Sequence, residues 1–317
     1  MGTDKQKQEG TVIRTTGSSY VVKTDDNRLV SCFIKGNFRI KGLKTTNPVA
    51  IGDRVLFRQE DADHSLIEKI FERKNYIIRR STKLSKQTQI IASNIDTAFL
   101  VISAKFPKTD TAFIDRFLVT ANAYNVPCEI VFNKIDIYDQ EAMLYAGYLI
   151  DIYEKIGYKC LLVSAQEGTG MNVLKDRMKG KITLFSGNSG VGKSTLINAI
   201  CPSACLKTGE VSTSHLSGKH TTTFAQMIIE DDISIIDTPG IKSFGMVDFT
   251  KEELPLYFPE MKERLSDCKY YNCTHIHEPH CAIKQAVEDG EISIERYSNY
   301  LKMLNSEEMQ LNDWETK

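Results

Sequence analysis

Long hydrophobic runs are missing from this 317-residue chain. No stretch approaches the roughly 18 consecutive apolar residues of a membrane span. The opening Met1-Gly2-Thr3-Asp4-Lys5-Gln6-Lys7-Gln8-Glu9 also lacks the apolar centre of a signal peptide. A soluble, cytoplasmic protein with no membrane partner is expected. Charge of one sign is not in excess either: 40 Lys and Arg stand against 41 Asp and Glu, so any nucleic-acid contact has to use local patches. Disulfide patterning is absent as well. Cys32, Cys128 and Cys160 sit in strand-like apolar runs, and Cys201 and Cys205 lie near the end of a helical pattern, so reduced buried thiols are expected there. The other three cysteines cluster with histidines and cannot all pair among themselves. Nothing in the pattern demands an obligate dimer, and a monomer is expected. The length leaves room for two or three domains with proper cores.

What is present centres on Gly187-Asn188-Ser189-Gly190-Val191-Gly192-Lys193-Ser194-Thr195. An apolar run, Ile182 to Ser186, precedes it and a helical pattern, Leu196 to Ile200, follows, so the glycines fall where a strand turns into a helix. Glycines let backbone N–H groups close around a di- or triphosphate without Cβ clashes, and the helix N-terminus adds positive partial charge. Lys193 can reach the outer phosphates and the Ser194 hydroxyl can ligate Mg²⁺. Downstream, the run Ile233-Ser234-Ile235-Ile236 ends in Asp237-Thr238-Pro239-Gly240. There Asp237 can hold the Mg²⁺ and the Gly240 N–H can reach a γ-phosphate. The pattern implies a nucleoside triphosphate.

The base is legible upstream, in Asn133-Lys134-Ile135-Asp136 after the strand-like Glu129-Ile130-Val131-Phe132. A carboxylate at Asp136 accepts both hydrogens on the N1 and N2 edge of guanine, which adenine lacks, while Asn133 and the Lys134 stem line the base's other edge and face. Buried groups left unpaired by the wrong base make such a site selective. Ser164-Ala165-Gln166-Glu167-Gly168-Thr169-Gly170 follows a further strand, and its backbone is suited to the guanine carbonyl. GTP and GDP with Mg²⁺ are the expected ligands.

In an ordinary G domain the guanine-reading motifs follow the phosphate loop; here they precede it. On these motifs the chain resembles the circularly permuted GTPases and, with its flanks, the bacterial RsgA (YjeQ/YloQ) family of ribosome small-subunit-dependent GTPases. The resemblance runs from Gly10 to about Tyr300. It implies a late assembly factor of the small ribosomal subunit that binds ribosomal RNA and is stimulated by the subunit. The competing class is a GTP-dependent metabolic or signalling protein without a ribosomal partner.

The expected architecture has three parts. Residues 1–72 alternate short apolar runs with turns, five strands without a convincing helix, and read as a small barrel. Periodicity does not separate an OB-fold from an SH3-like barrel; the resemblance, including Gly52-Asp53-Arg54-Val55, favours OB. Lys35, Arg39, Lys41 and Lys44 with Phe33 and Phe38 form a basic-aromatic stretch suited to single-stranded RNA. A basic linker follows, in which Arg73, Lys74, Arg79, Arg80, Lys83 and Lys86 face only Glu72. Residues 73–250 alternate strand and helix as a doubly wound α/β P-loop G domain. Residues 251–317 read as a zinc-binding helical module, with helices over residues 252–265 and about 283–304.

Between the phosphate loop and Asp237 lies a polar stretch with the features of a first switch, and Thr221, Thr222 and Thr223 all qualify as its ligand to Mg²⁺ and γ-phosphate. The resemblance matches Gly218-Lys219-His220-Thr221-Thr222 to the family's second G motif, and Thr222 is taken with the nucleotide ligands on that basis. Ras-type enzymes orient the attacking water with a glutamine just after Asp-x-x-Gly. Here Ile241 holds that place and has no polar atom, so His220 is the candidate catalytic group, its neutral imidazole accepting a water proton.

The segment Cys268 to Cys281 packs three cysteines and three histidines into fourteen residues, a soft donor set for one tetrahedral structural zinc. His275, His277 and His280 compete as the fourth ligand. The family's Cys-x4-Cys-x-His-x5-Cys spacing selects Cys268, Cys273, His275 and Cys281.

Overall fold

Alternation in the first seventy residues turns into a closed barrel. The computed structural model describes residues 7–16, 19–34, 48–61, 64–80, 88–204, 206, 226–237 and 250–306. Strands β1 (Lys7–Thr15), β2 (Tyr20–Thr24), β3 (Leu29–Ile34), β4 (Arg54–Gln59) and β5 (Ser65–Ile70) follow the order β1-β2-β3-β5-β4, and β4 pairs back onto β1. Only β3 and β5 run parallel. This connectivity is that of an OB-type barrel and resolves the alternative left open by periodicity. Tyr20 and Val22 of β2 and Val55 and Phe57 of β4 alternate inward with Val12, Cys32 and Ile67 to fill it.

The expected basic linker is instead an antiparallel hairpin of β6 (Tyr76–Arg80) and β7 (Thr88–Ser93). Among the described residues of that stretch, Arg73 and Lys74 are paired within the chain. Arg73 forks onto the fully buried Asp53, Nε to Oδ1 and Nη2 to Oδ2 at 2.6 Å each, and Nη2 also donates to the Pro48 carbonyl at 2.7 Å. Ser93 Oγ and the Ala50 N–H complete the Asp53 carboxylate. Lys74 pairs with Asp96. Gly52 makes this junction possible: its φ is +88° and a Cβ there would sit 2.1 Å from the Ser93 carbonyl oxygen.

The second sheet is β10 (Lys159–Leu162), β9 (Cys128–Phe132), β8 (Thr97–Ile102), β11 (Ile182–Ser186), β13 (Ile233–Asp237) and β12 (Gln226–Glu230), in that order, parallel except for the antiparallel strand β12. Every residue of β8 is buried, as a strand covered on both faces requires. Ala98, Leu100 and Ile102 face α1 (Thr111–Ala123) and α2 (Gln140–Lys155), whereas Phe99 and Val101 face α3 (Met171–Met178) and α4 (Lys193–Ile200). Asp110 and Asp139 cap α1 and α2 by accepting the Ala112 and Ala142 N–H groups at 2.9 Å. Strand β12 in turn meets β1 at Arg14 and Gln226, so one continuous sheet joins barrel and nucleotide domain.

Beyond residue 250 the expected helix over 252–265 is broken into a 3₁₀ turn at Leu254–Tyr257, a single α-turn α5 (Pro259–Lys262) and a 3₁₀ turn at Leu265–Asp267. Pro255 and Pro259 lack the N–H groups that a continuous ladder needs. The later helical pattern forms α6 (Ala282–Glu288) and α7 (Ile294–Leu304), separated around Gly290, whose φ is +73°. Leu254, Phe258, Met261, Ile283, Tyr300 and Met303 build a separate core that reaches Val119 of α1.

A buried ionic network holds that core to the nucleotide domain. Arg296 of α7 donates from Nη1 to Asp115 of α1 at 2.5 Å and from Nε and Nη2 to Glu260 of α5. Asp115 also accepts from Tyr153 OH of α2 at 2.8 Å and from Asn299 Nδ2 at 2.7 Å. Burial pulls the Arg296 pKa down, but the two carboxylates outweigh it and hold the guanidinium protonated. Among the described residues, no helix is long and apolar enough to cross a membrane.

Candidate functional site

The loops that follow β8, β9, β10 and β11 converge at the C-terminal edge of the second sheet, where open α/β sheets bind ligands. The phosphate loop takes the shape its glycines allow. Gly187, Gly190 and Gly192 have φ of +149°, +81° and +93°, and Gly192 is the N-cap of α4. A Cβ on Gly187 would lie 2.1 Å from the Val101 carbonyl oxygen, so this residue fixes how closely the loop approaches β8. Lys193 Nζ is held over the loop by the carbonyls of Gly187 at 2.5 Å and Asn188 at 2.7 Å. Burial lowers its pKa, and a desolvated ammonium interacts strongly with a phosphate oxyanion. Ser194 and Thr195 follow in the first turn of α4.

The guanine motif is hydrogen-bonded to that loop directly. Asn133, almost fully buried, donates from Nδ2 to the Val191 carbonyl at 2.9 Å, and its Oδ1 accepts the Ala165 N–H at 3.3 Å. One side chain therefore sets three loops at fixed distances. Ser164 Oγ donates to Asp136 Oδ1 at 2.5 Å and accepts the Glu167 N–H at 3.0 Å, which orients the carboxylate. Lys134 adopts the left-handed conformation, φ +66°, and its Nζ reaches the Phe106 carbonyl at 2.9 Å. Sequence reasoning missed Tyr138, whose hydroxyl donates to the Asn133 carbonyl and accepts the Ala104 N–H, bracing the loop after β8 against the guanine motif. No local pattern marks such a residue.

Asp237 is the last residue of β13, beside Leu184 and Ile236 of the β11–β13 register and therefore at the same sheet edge as the phosphate loop. His220, Thr222 and Gly240 lie outside the described residues, as do Cys205, Lys35, Phe38, Arg39, Lys41 and Lys44.

Asn133 makes Gly192 a sensitive position. A Cβ there would come within 2.4 Å of Asn133 Nδ2 at a φ that alanine adopts only with strain. Gly192→Ala is expected to displace the Asn133–Val191 bond and weaken GDP binding at least about tenfold, the equivalent of 1.4 kcal/mol. Titration calorimetry checks this, and an affinity within twofold of the parent would remove Asn133 as the organiser of the pocket.

A second constellation lies in the last core. Cys268, Cys273, His275 and Cys281 bring their ligand atoms within 4.8 Å of one another. The donors of a tetrahedral zinc site stand roughly 3.7 Å apart, given Zn–S distances near 2.3 Å. His275 Nδ1 lies 3.3 Å from Cys281 Sγ and 3.7 Å from Cys268 Sγ, and the side chain is buried. Burial lowers its pKa, which keeps the imidazole neutral as a ligand must be. Tyr297 OH donates to the His275 carbonyl at 2.6 Å and Tyr300 OH to the Thr274 carbonyl at 3.0 Å, so α7 holds the ligand loop. Glu278 receives the N–H groups of Thr274, Ile276 and His277. Burial opposes ionisation there, but the Thr274 hydroxyl, which donates to the same carboxylate at 2.7 Å, together with these N–H groups brings its pKa down to about 2. Beside the cluster opens a cavity of about 960 Å³ lined by Lys251, Lys269, Tyr270, Tyr271 and Asn272 among others, with Tyr271 fully exposed.

Comparison with known proteins bears directly on this arrangement. The RsgA GTPase family model matches residues 70–247 and the RsgA N-terminal domain model matches residues 9–67. The chain belongs to the RsgA family. It is 55% identical over 301 residues to small ribosomal subunit biogenesis GTPase RsgA 2 of Bacteroides thetaiotaomicron, covering 95% of this chain and 97% of the relative. It is 52% identical over 304 residues to the RsgA of Christiangramia forsetii, covering 95% and 96%. Among solved structures, YjeQ from Thermotoga maritima superposes with a TM-score of 0.78 at 34% identity, covering 94% of this chain and 98% of that one. YloQ, described as a circularly permuted GTPase, gives 0.75 at 32% identity, covering 97% and 96%. In this family member the permutation is visible in the strand order: β9 and β10, whose following loops carry Asn133 and Ser164, precede β11 and its phosphate loop in the chain, and Asn133 bonds that loop through the Val191 carbonyl.

Proposed function

We propose that this chain is a Mg²⁺-dependent GTPase that acts late in assembly of the small ribosomal subunit, and that contact with the subunit and its RNA orders the switches and triggers hydrolysis. The observation that carries the nucleotide half is Asn133, which ties the guanine loops to the phosphate loop in one pocket. The ribosomal half is supported by the small-subunit biogenesis role in the relatives' names. The OB-type barrel and the basic-aromatic surface beside the cysteine cluster are of the kind that holds RNA by stacking and charge. The cluster's donor set suits one structural zinc, since four protein ligands leave no open position.

In this reading Asp136 selects guanine, Lys193 offsets charge on the outer phosphates, and Thr222 and Gly240 contact the γ-phosphate side. Ser194 and Asp237 would hold Mg²⁺, which would neutralise charge on the outer phosphates. A water oxygen bonds to the γ-phosphorus while the bond to the bridging oxygen breaks and GDP departs. His220 accepts the water's proton. The test is phosphate release with isolated small subunits: stimulation of at least tenfold is expected, with large subunits inert. His220→Ala is expected to bind GTP normally and lose about 10²–10⁴ of the stimulated rate. Equal turnover in the variant would remove His220 from the reaction, and absence of stimulation would remove the ribosomal partner.

A further inference from the structure

The loop between β8 and α1 is built around the nucleotide pocket, yet none of the recognised motifs uses it. Phe106 stands at its tip with its side chain 70% exposed. Its φ of +38° is unusual for a bulky residue and persists only where the surroundings impose it. Those surroundings are specific. The Phe106 carbonyl accepts Lys134 Nζ at 2.9 Å. Ser103 and Thr109 close the base of the loop by exchanging hydrogen bonds, and Tyr138 OH receives the Ala104 N–H at 2.8 Å. Lys105 pairs with Asp139 at 2.6 Å and places its ammonium 5.4 Å from the Phe106 ring centroid. The loop is thus fastened at both ends while its largest apolar group is left in solvent.

The backbone of Phe106 stands beside identifiable parts of the pocket. The Lys134 stem leaves the guanine motif, passes the Gly192 position, whose Cβ direction meets Lys134 Cε at 3.7 Å, and ends at Phe106. Pro107 stands 3.5 Å from the Cβ direction of Gly190. A nucleotide with its base edge at Asp136 and its phosphates in the loop of residues 187–195 carries its sugar between them, over Gly190, Gly192 and the Lys134 stem. We propose that Phe106 is a positioning residue for the ribose of the bound guanine nucleotide, its ring forming an outer wall that covers the sugar and slows dissociation. Burying a ring face against sugar C–H groups removes apolar surface from water, and a wall that is already ordered does so without further loss of conformational freedom.

This inference rests on the guanine-nucleotide reading of the pocket, and the experiment separates the two. Full-length parent, Phe106→Ala and Phe106→Tyr are titrated with GDP and with ADP, dissociation of GDP is followed by chase, and thermal unfolding is recorded without nucleotide. Phe106→Ala is expected to weaken GDP binding about tenfold through faster dissociation, with unfolding unchanged because the ring is exposed. Phe106→Tyr is expected to stay near the parent. The preference for GDP over ADP is expected to persist, because Asp136 sets it. A parent that selects GDP, with Phe106→Ala within twofold of it, overturns the role of Phe106 alone. Loss of base preference in Phe106→Ala overturns it too, by moving the ring onto the base. A parent that binds ADP as tightly as GDP, or neither, overturns the nucleotide reading and this inference with it.

Discussion

Arg296→Met is expected to lower stability by about 3–5 kcal/mol, because it leaves two carboxylates buried together without their counter-charge. Asp115 is fully buried and Glu260 nearly so, and Arg296 is the cation that both of them bond. Methionine fills much of the same volume, so the loss measures charge rather than a cavity. Unfolding of a chain with several cores need not be a single step, so the effect is read on the transition that includes the C-terminal core. Replacing all three charges, as in Asp115→Leu, Glu260→Leu, Arg296→Met, is expected to recover more than half of the loss. Recovery stops short of complete because Tyr153 and Asn299 then lose the carboxylate they bond. Urea unfolding of the single and triple variants checks both statements. A single variant within about 1 kcal/mol of the parent would show that the network is dispensable for joining α7 to α1.

That network was not legible in the sequence, for a physical reason. Its members are polar residues on helical patterns, and the bond from Arg296 to Asp115 spans 181 positions. Nothing in local periodicity tells an arginine bound for a buried pair from one on a solvated face. The phosphate loop was legible because its requirements are local: glycine where φ must be positive, and lysine and serine at the start of a helix. The strands were legible because alternation in the barrel and continuous apolar runs in the parallel sheet report directly how many faces are covered. Helical periodicity over 252–265 misled because Pro255 and Pro259 outweigh it. Within the basic stretch after the barrel, one cation has an internal task. Arg73 serves Asp53, so the Gly52-Asp53-Arg54 motif marks an internal joint between barrel and hairpin.

The largest expected effect is at the cysteine cluster. Cys268→Ser is expected to abolish stoichiometric zinc, measured by metal analysis of the purified chain, and to expose amides of residues 268–281 to hydrogen exchange. Structural zinc sites contribute about 10–16 kcal/mol in isolated peptides. The loss expected here is smaller, because Arg296 and the core around Phe258 and Tyr300 anchor the flanking helices independently. Local opening with the nucleotide pocket still able to bind GDP is therefore the expected outcome, and simultaneous loss of GDP binding would show that the two parts unfold as one. The fourth ligand is tested in the same experiment. Spacing alone admits His275, His277 and His280, but His275 is the one whose Nδ1 lies 3.3 Å from Cys281 Sγ and whose backbone Tyr297 holds. His275→Ala is expected to lose zinc while His277→Ala and His280→Ala retain it, and the reverse pattern would assign the site to a different histidine. The stretch that follows Asp237-Thr238-Pro239-Gly240 leads into this module along the chain. A variant that binds GDP but has lost its zinc is therefore expected to lose stimulation by the small subunit while keeping its unstimulated rate, since the groups proposed to hold the nucleotide lie in the other domain.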